Sequence, residues 1–564
     1  MLRCISLMGL AALMAAQEPS SFRINARLVE VDVVVRSRDG AVTGLTKADF
    51  RILDNGKPQD IVTFSVRSGA AKSSSDTRMA NATPLPPGLI SNRVSRSGEE
   101  PNAATVILLD RLNTEVADQS YFTKEMLKYL KTRQPGEHVA IYSLLERLRI
   151  VEDFTDDPQS LLLAASQANA QQSVPLADSN QSELKAAQAS VTNWSIQAPG
   201  ITQAAQGAAN AQLALMAEMG QNAVTEMEDA EKKNRALLTS AALADIARHL
   251  RGLPGRKKLV WVSGGFPVGT LEVNARHYDE FGEETARSVR ALNNANVAVY
   301  AIDPRGIVAY GTNPVTPIQN TQTGQNMFSQ VRQPDPVGLN APNIAGMNLF
   351  ASGTGGRAIY GTNDLVGALK TVMEDDDVIY TIGFYPTEQK MDGSYHSLAV
   401  KVARKGVEVH HRQGYLADDT KIFTPRQRRD AMTDAIQNPL DSTELGLRAS
   451  IAAISGRPGV YKLALTLGVN ELHLEHVKNR WVGDIDFGTH FSQALDFKGS
   501  YETIRINFTE DRLRETLKNG FVLRREIDSG GQSGELRVVV QDRSTGSIGS
   551  VRIPIGAGQQ PVTN

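Results

Sequence analysis

Thr105-Val-Ile-Leu-Leu-Asp110 is a continuous apolar run that ends in an acid. Such a run fits a strand buried on both faces, meeting solvent only at its carboxyl end. The pattern around it repeats. A helical segment over Tyr121–Thr132 closes at Pro135-Gly136, strand Val139–Leu145 follows, and a short strand lies near Leu148–Val151. A helix predicted over Leu238–Leu250 leads through Pro254-Gly-Arg-Lys-Lys258 into strand Leu259–Ser263. Another over Glu283–Asn293 precedes strand Val297–Ile302, and a third over Leu365–Met373 precedes strand Val378–Phe384. Helices alternating with apolar strands predict an α/β fold built on a doubly wound, mostly parallel sheet.

Two insertions interrupt this unit. Residues 158–233 are dominated by Ala, Gln, Ser and Asn, with helical stretches over Ala204–Met219 and Val224–Lys233; residues 308–345 are rich in Asn, Gln, Gly and Pro and read as a long surface loop. Before the unit, residues 21–68 alternate like strands (Leu28–Val35, Phe50–Leu53, Ile61–Phe64), with Asp54-Asn-Gly56 as a hairpin signal. They predict an N-terminal β module, joined by a linker over 69–102 to a central domain over 103–417. The hairpin Ser397–Val402/Val407–His410 is expected to finish that domain. Residues 418–564 read as a connector helix over 425–438 and a C-terminal β-sandwich-like domain, from its short alternating runs.

At 564 residues the chain is long enough for three or four domains at roughly 100–200 residues each. A net charge of −2 supplies no basic surface for nucleic acid. Residues 1–16 start with a positive charge, continue as an apolar run and end in Ala15-Ala16, the layout of a secretory signal peptide. The protein is therefore expected to be exported: periplasmic, cell-surface or secreted. Cys4 is the only cysteine, so removal of that segment leaves no disulfide, thiolate metal site or cysteine nucleophile. No later stretch reaches the ~20 apolar residues of a membrane span.

Several stretches resemble the VWFA-related (von Willebrand factor A-like) domain family of exported acidobacterial proteins. They are Leu45-Thr-Lys-Ala-Asp-Phe50 with Asp54–Lys57, Leu108-Leu-Asp-Arg-Leu-Asn-Thr114, Gly252–Leu259, Ala301-Ile-Asp-Pro-Arg-Gly306 and Thr354-Gly-Gly-Arg357. The resemblance covers about residues 22–417 and implies a fold that hosts many binding roles. It also implies a site for Mg²⁺ or another divalent cation, through Asp-x-Ser-x-Ser after the first strand, a distant Thr and an acid after the fourth strand. Here Asp110 and Thr114 match the ends of that motif, Asn113 substitutes for a donor, and Thr239 stands for the distant Thr. Leu112 cannot coordinate, and Gly264 occupies the acid's place. The competing reading is that Asp110 caps the loop that follows it.

Asp303 lies two strands away if strand order follows the family, with pairing to Arg305 as its expected role. Loops at Asp110–Thr114, Gly264-Gly265 and Asp303–Arg305 are the expected contacts for a protein partner. His473-Leu-Glu-His476 lacks the helical spacing of a metalloprotease. Gly353-Thr-Gly-Gly356 has no following Lys-Ser/Thr and reads as a turn, and His410-His411 as structural. The expected function is an exported, non-enzymatic binding or adhesion protein, with an envelope scaffold or an exported hydrolase as alternatives.

Overall fold

The computed structural model of the protein describes residues 28–38, 40–68, 89–93, 104–132, 138–170, 203–253, 255–266, 275–307, 341–374, 378–387, 394–417, 424–491, 499–530 and 533–555. The expected signal peptide over 1–16, residues 171–202 and 308–340 of the two expected insertions, and Asp375–Asp377 lie outside these.

Six strands make the central sheet. From one edge to the other they run Arg357–Ile359, Val297–Ile302, Lys257–Val262, Ala104–Asp110, His138–Leu144 and Leu148–Thr155. All neighbours are parallel except the last pair, which is antiparallel. Alternate side chains feed opposite faces, as strand geometry requires. Val106, Leu108, Tyr142, Trp261 and Val299 pack with Leu243, Ile246, Leu292 and Phe350, from helices Gln203–Arg251, Ala275–Asn294 and Ala341–Thr354. Ile107, Ile141, Val260 and Tyr300 pack with Phe122, Met126, Leu161 and Leu369, from helices Val116–Thr132, Pro158–Ala170 and Leu365–Met373. Both faces are covered, which is why these strands read as unbroken apolar runs.

Val378–Phe384 departs from expectation. It does not join the central sheet; it pairs antiparallel with Val29–Ser37 on one side (Val31↔Ile382) and Ile61–Ser68 on the other (Phe64↔Ile382). Glu408–His411 then flanks Val29–Ser37, and Tyr395–Val402 pairs with Phe50–Asp54. The N-terminal strands therefore share one apolar core with residues expected to belong to the central domain, including Val31, Val33, Phe50, Tyr380, Ile382 and Val400. The reverse side of the Val29–Ser37 strand is covered as well: Val34 is buried and Asn296 Nδ2 donates to Asp32 Oδ2 at 2.9 Å. A strand covered on both faces is apolar whether its neighbours are parallel or not, so its composition alone does not disclose its sheet.

Two further corrections concern connectors. Leu89–Ser91, within the expected linker, pairs with Leu447–Ala453. The helical stretches at 204–219, 224–233 and 238–250 are one helix, Gln203–Arg251, so no break separates the first insertion from the central domain at 233. Beyond the helix Pro425–Gln437, two antiparallel sheets enclose a core that includes Leu465, Phe487 and Val538. Among the described residues no helix is long and apolar enough to cross a membrane.

Candidate functional site

In the central sheet the chain leaves Ala104–Asp110 toward one edge and Lys257–Val262 toward the other. The crevice above the carboxyl ends of these two neighbours is the switch point where open α/β sheets bind ligands. Asp110 closes the first strand and Ser263-Gly264-Gly265 follow the second.

Asp110 is 1% exposed and is held entirely by donors. Oδ1 accepts from Asn113 N at 3.1 Å and Asn113 Nδ2 at 3.2 Å. Oδ2 accepts from Asn113 Nδ2 at 2.9 Å, Trp261 Nε1 at 3.0 Å and Ser263 Oγ at 2.8 Å. The same Asn113 amide donates to Thr239 Oγ1 at 2.8 Å, while the Thr239 hydroxyl donates to Arg235 O at 2.8 Å. These partners orient the amide, because each atom facing Nδ2 is an acceptor. Thr114 Oγ1 accepts from Gly264 N at 2.9 Å. Gly264 is required here by close approach: a Cβ on it would lie 2.7 Å from Asn113 O. Burial pushes the Asp110 carboxyl above the ordinary carboxylate range, opposed by the hydrogen bonds from Asn113, Ser263 and Trp261.

Asp110, Asn113, Thr114, Thr239, Gly264 and Gly265 thus come together. Trp261 and Ser263, which sequence reasoning did not single out, complete the cluster. Their signal was a tryptophan in an otherwise aliphatic strand and a hydroxyl at its end. Asp303 stands apart from this network. It accepts from Arg305 N at 3.0 Å, Nε at 2.9 Å and Nη2 at 2.8 Å. Asp118 lies close enough to this pair to feel both charges; burial raises its carboxyl pKa first, then Glu115 and Asp303, against Arg305. The loop after Asp303 is fastened to its neighbour by Ile307 N donating to Asn363 Oδ1 at 2.9 Å, and Tyr121 OH donates to Asn363 O at 3.0 Å.

A hard cation needs about six oxygen donors in an octahedral array. The residues at this crevice do not fit it in the arrangement seen. Leu112 and Gly264 offer no side-chain oxygen, and a proton-bearing amide nitrogen lies between the Asp110 carboxylate and the Thr239 hydroxyl, where a cation would bridge them. Among the described residues no group of three or more His, Cys, Asp or Glu could hold a metal. His473 Nε2 is 4.0 Å from Glu475 Oε1, and the His476 ring turns to Trp481. Thr354 of the Gly-rich turn fastens a helix end to the sheet, accepting from Val299 N at 2.9 Å. His411 Nε2 accepts from Val400 N at 3.2 Å.

No family model and no curated protein matches this chain. Among solved structures it is similar to an aerotolerance-related membrane protein from Bacteroides fragilis (11% identity, 49% of this chain and 98% of that one, TM-score 0.24). It is also similar to a point mutant of the PilB minor pilin from Streptococcus sanguinis (9% identity, 50% and 61%, TM-score 0.25). A von Willebrand factor type A protein from Catenulispora acidiphila is similar over 89% of this chain and 75% of its own (9% identity, TM-score 0.24). Likenesses this low carry no argument, so the functional reading rests on the strand order and the side chains at the crevice.

Proposed function

We propose that the chain is an exported, non-enzymatic binding protein of the von Willebrand factor A-like type. It recognises a protein partner with the loops above its central sheet, around Asp110–Thr114, Gly264-Gly265 and Asp303–Arg305. The observation that carries this reading is the Asp110–Asn113–Thr239 cluster, placed at the switch point of the sheet and closed by hydrogen bonds. The Asn113 amide does there what a cation does in a metal-dependent site. It solvates the buried carboxylate with hydrogen bonds and ties it to the helix that carries Thr239, holding the rim loops in one conformation. Binding to the partner then needs no divalent ion.

Calorimetric titration with Mg²⁺, Ca²⁺ and Mn²⁺ tests the ion, and retrieval from cell-envelope extract by the immobilised protein tests the partner. The expected result is no cation heat, with a specific protein captured equally with Mg²⁺ or chelator and lost on Arg305→Ala. Cation binding that Asp110→Ala abolishes would overturn the metal-free reading. Capture of nothing specific under either condition would overturn the binding role.

A further inference from the structure

The outer face of the sheet that holds Phe50–Asp54 carries a conflict of charge. Tyr395–Val402 pairs with this strand through five successive residues with no register shift, so the side chains alternate strictly between core and solvent. Phe50, Ile52, Leu398 and Val400 point inward and are buried. On the outer face Arg51 stands directly opposite Lys401, and Leu53 lies between Ala399 and Pro58. Directly opposite residues have Cβ atoms about 4.5–5.5 Å apart, and like charges there are destabilising. One acid in place of either cation would relieve the conflict. Instead a third cation joins it, Lys47 from the one-turn helix Lys47–Asp49 just before the strand.

Lys47, Arg51 and Lys401 line one crevice of about 690 Å³, a volume within the about 300–1,000 Å³ usual for small-ligand sites. Its floor is largely aliphatic, with Ala48, Leu53, Pro58 and Ile61, and Asp60 is the acid in its lining. Asp49 is engaged elsewhere: its Oδ2 accepts from Thr46 N at 2.7 Å and from Thr46 Oγ1 at 2.9 Å. Gln59 Oε1 is engaged too, accepting from Thr387 N at 3.1 Å. Among the described residues no carboxylate forms a salt bridge with any of the three cations.

We propose that this crevice binds an anionic amphiphile, an aliphatic body carrying a carboxylate or a phosphate. The anionic head lies among Arg51, Lys401 and Lys47, where it turns mutual repulsion into shared attraction. The body lies along Leu53 and Pro58. Arg51 supplies forked donors that grip a carboxylate or phosphate at two oxygens, and the lysines act as point charges. Charge alone would recruit any anion; the aliphatic floor selects one with an apolar body to remove from water. The crevice belongs to a different sheet from the rim loops above Asp110, so it is a second site that stands without the partner proposed there.

Calorimetric titration of the full chain with decanoate and with decyl phosphate, each below its micelle concentration, tests the proposal. The expected result is saturable binding at a single site per chain. Acetate, which lacks the body, and decyltrimethylammonium, which lacks the anion, are expected to give no heat. Arg51→Ala is expected to weaken binding by roughly tenfold or more. Lys401→Glu separates a ligand site from a structural patch: it sets an opposite charge against Arg51, so binding is expected to vanish while the melting temperature holds or rises. No heat from either amphiphile, binding that survives both substitutions, acetate binding as tightly as decanoate, or a lower melting temperature for Lys401→Glu would each overturn it. Attachment to phosphatidylglycerol vesicles without binding of the soluble amphiphiles would also overturn it, by assigning the cations to a membrane surface.

Discussion

Truncating Asn113 to Ala removes the amide that donates to both oxygens of Asp110 and to Thr239. A buried carboxylate deprived of a donor loses on the order of 1–3 kcal/mol, and urea denaturation midpoints are expected to fall accordingly. Asn113→Asp goes further, since it sets a second carboxylate against the first with no proton between them. Its stability loss is expected to be partly reversed by millimolar Mg²⁺, while wild type shows no such dependence in the same titration. Asp110 itself carries a pH signature. Burial raises its folded pKa above the ordinary value of 3.8, so the folded state binds its proton more tightly than the unfolded chain. This contribution is complete below the ordinary value and is lost as pH rises through the folded pKa. The destabilisation caused by Asp110→Ala is therefore expected to be larger at pH 4 than at pH 7, as urea midpoints at the two pH values would show. The opposite order would mean that the hydrogen bonds outweigh burial.

At the scale of elements, the strand Lys257–Val262 opens with two lysines that are each 3% exposed. Lys257 Nζ donates to Leu253 O at 2.9 Å, and burial lowers its pKa from 10.5 to about 8, with Asp32 opposing the shift. Between these values the unfolded chain holds the proton and the folded one has lost it, so stability rises with pH across that window. At pH 7 the charged ammonium carries its full burial cost. Lys257→Met is therefore expected to gain about 1–2 kcal/mol at pH 7 after the lost bond to Leu253 is counted, the gain shrinking above pH 8. Thermal melts at pH 7 and pH 10 check the sign. The central strands were legible because a sheet covered on both faces selects an unbroken apolar run, and Asp110 was legible as the acid where such a run stops. The partner of a strand was not. Val378–Phe384 looks like one more parallel strand, because its burial is the same, yet it pairs with Val29–Ser37, hundreds of residues earlier. The Asn113 amide was visible as a residue, but its role depends on Thr239 arriving from a distant helix. Local pattern does not encode that meeting.

Taken as one molecule, the chain is tied together by segments that look like connectors. Leu89–Ser91 adds a strand to the sheet of Leu447–Ala453, and the two residues after it anchor the turn that leads there. Asn92, buried, donates to Ser442 O at 2.7 Å and Leu445 O at 2.8 Å and accepts from Leu447 N at 2.8 Å. Arg93 donates to Thr443 O and Glu444 O and pairs with Glu471. From the other side the long helix grips the same turn: Gly252 N donates to Thr443 Oγ1 at 2.9 Å, and the Thr443 hydroxyl donates to His249 O. Arg251 pairs with Glu444 at 2.7 Å. The turn at 441–446 is thus where the central sheet's helix and the C-terminal sheets are joined, with Asn92 satisfying two of its carbonyls and the N–H of Leu447 just after it. Asn92→Ala takes the side-chain partner from Leu445 O and Leu447 N, while Ser442 O keeps its bond from Ser550 N, a cost of about 2–4 kcal/mol, and it falls on the junction rather than on either core. The expected outcome by calorimetry is that the C-terminal sheets melt before the central one, with faster hydrogen exchange at 441–447 and unchanged exchange in Ala104–Asp110. A uniform downward shift of all transitions would place the loss in a shared core and remove the junction from the account.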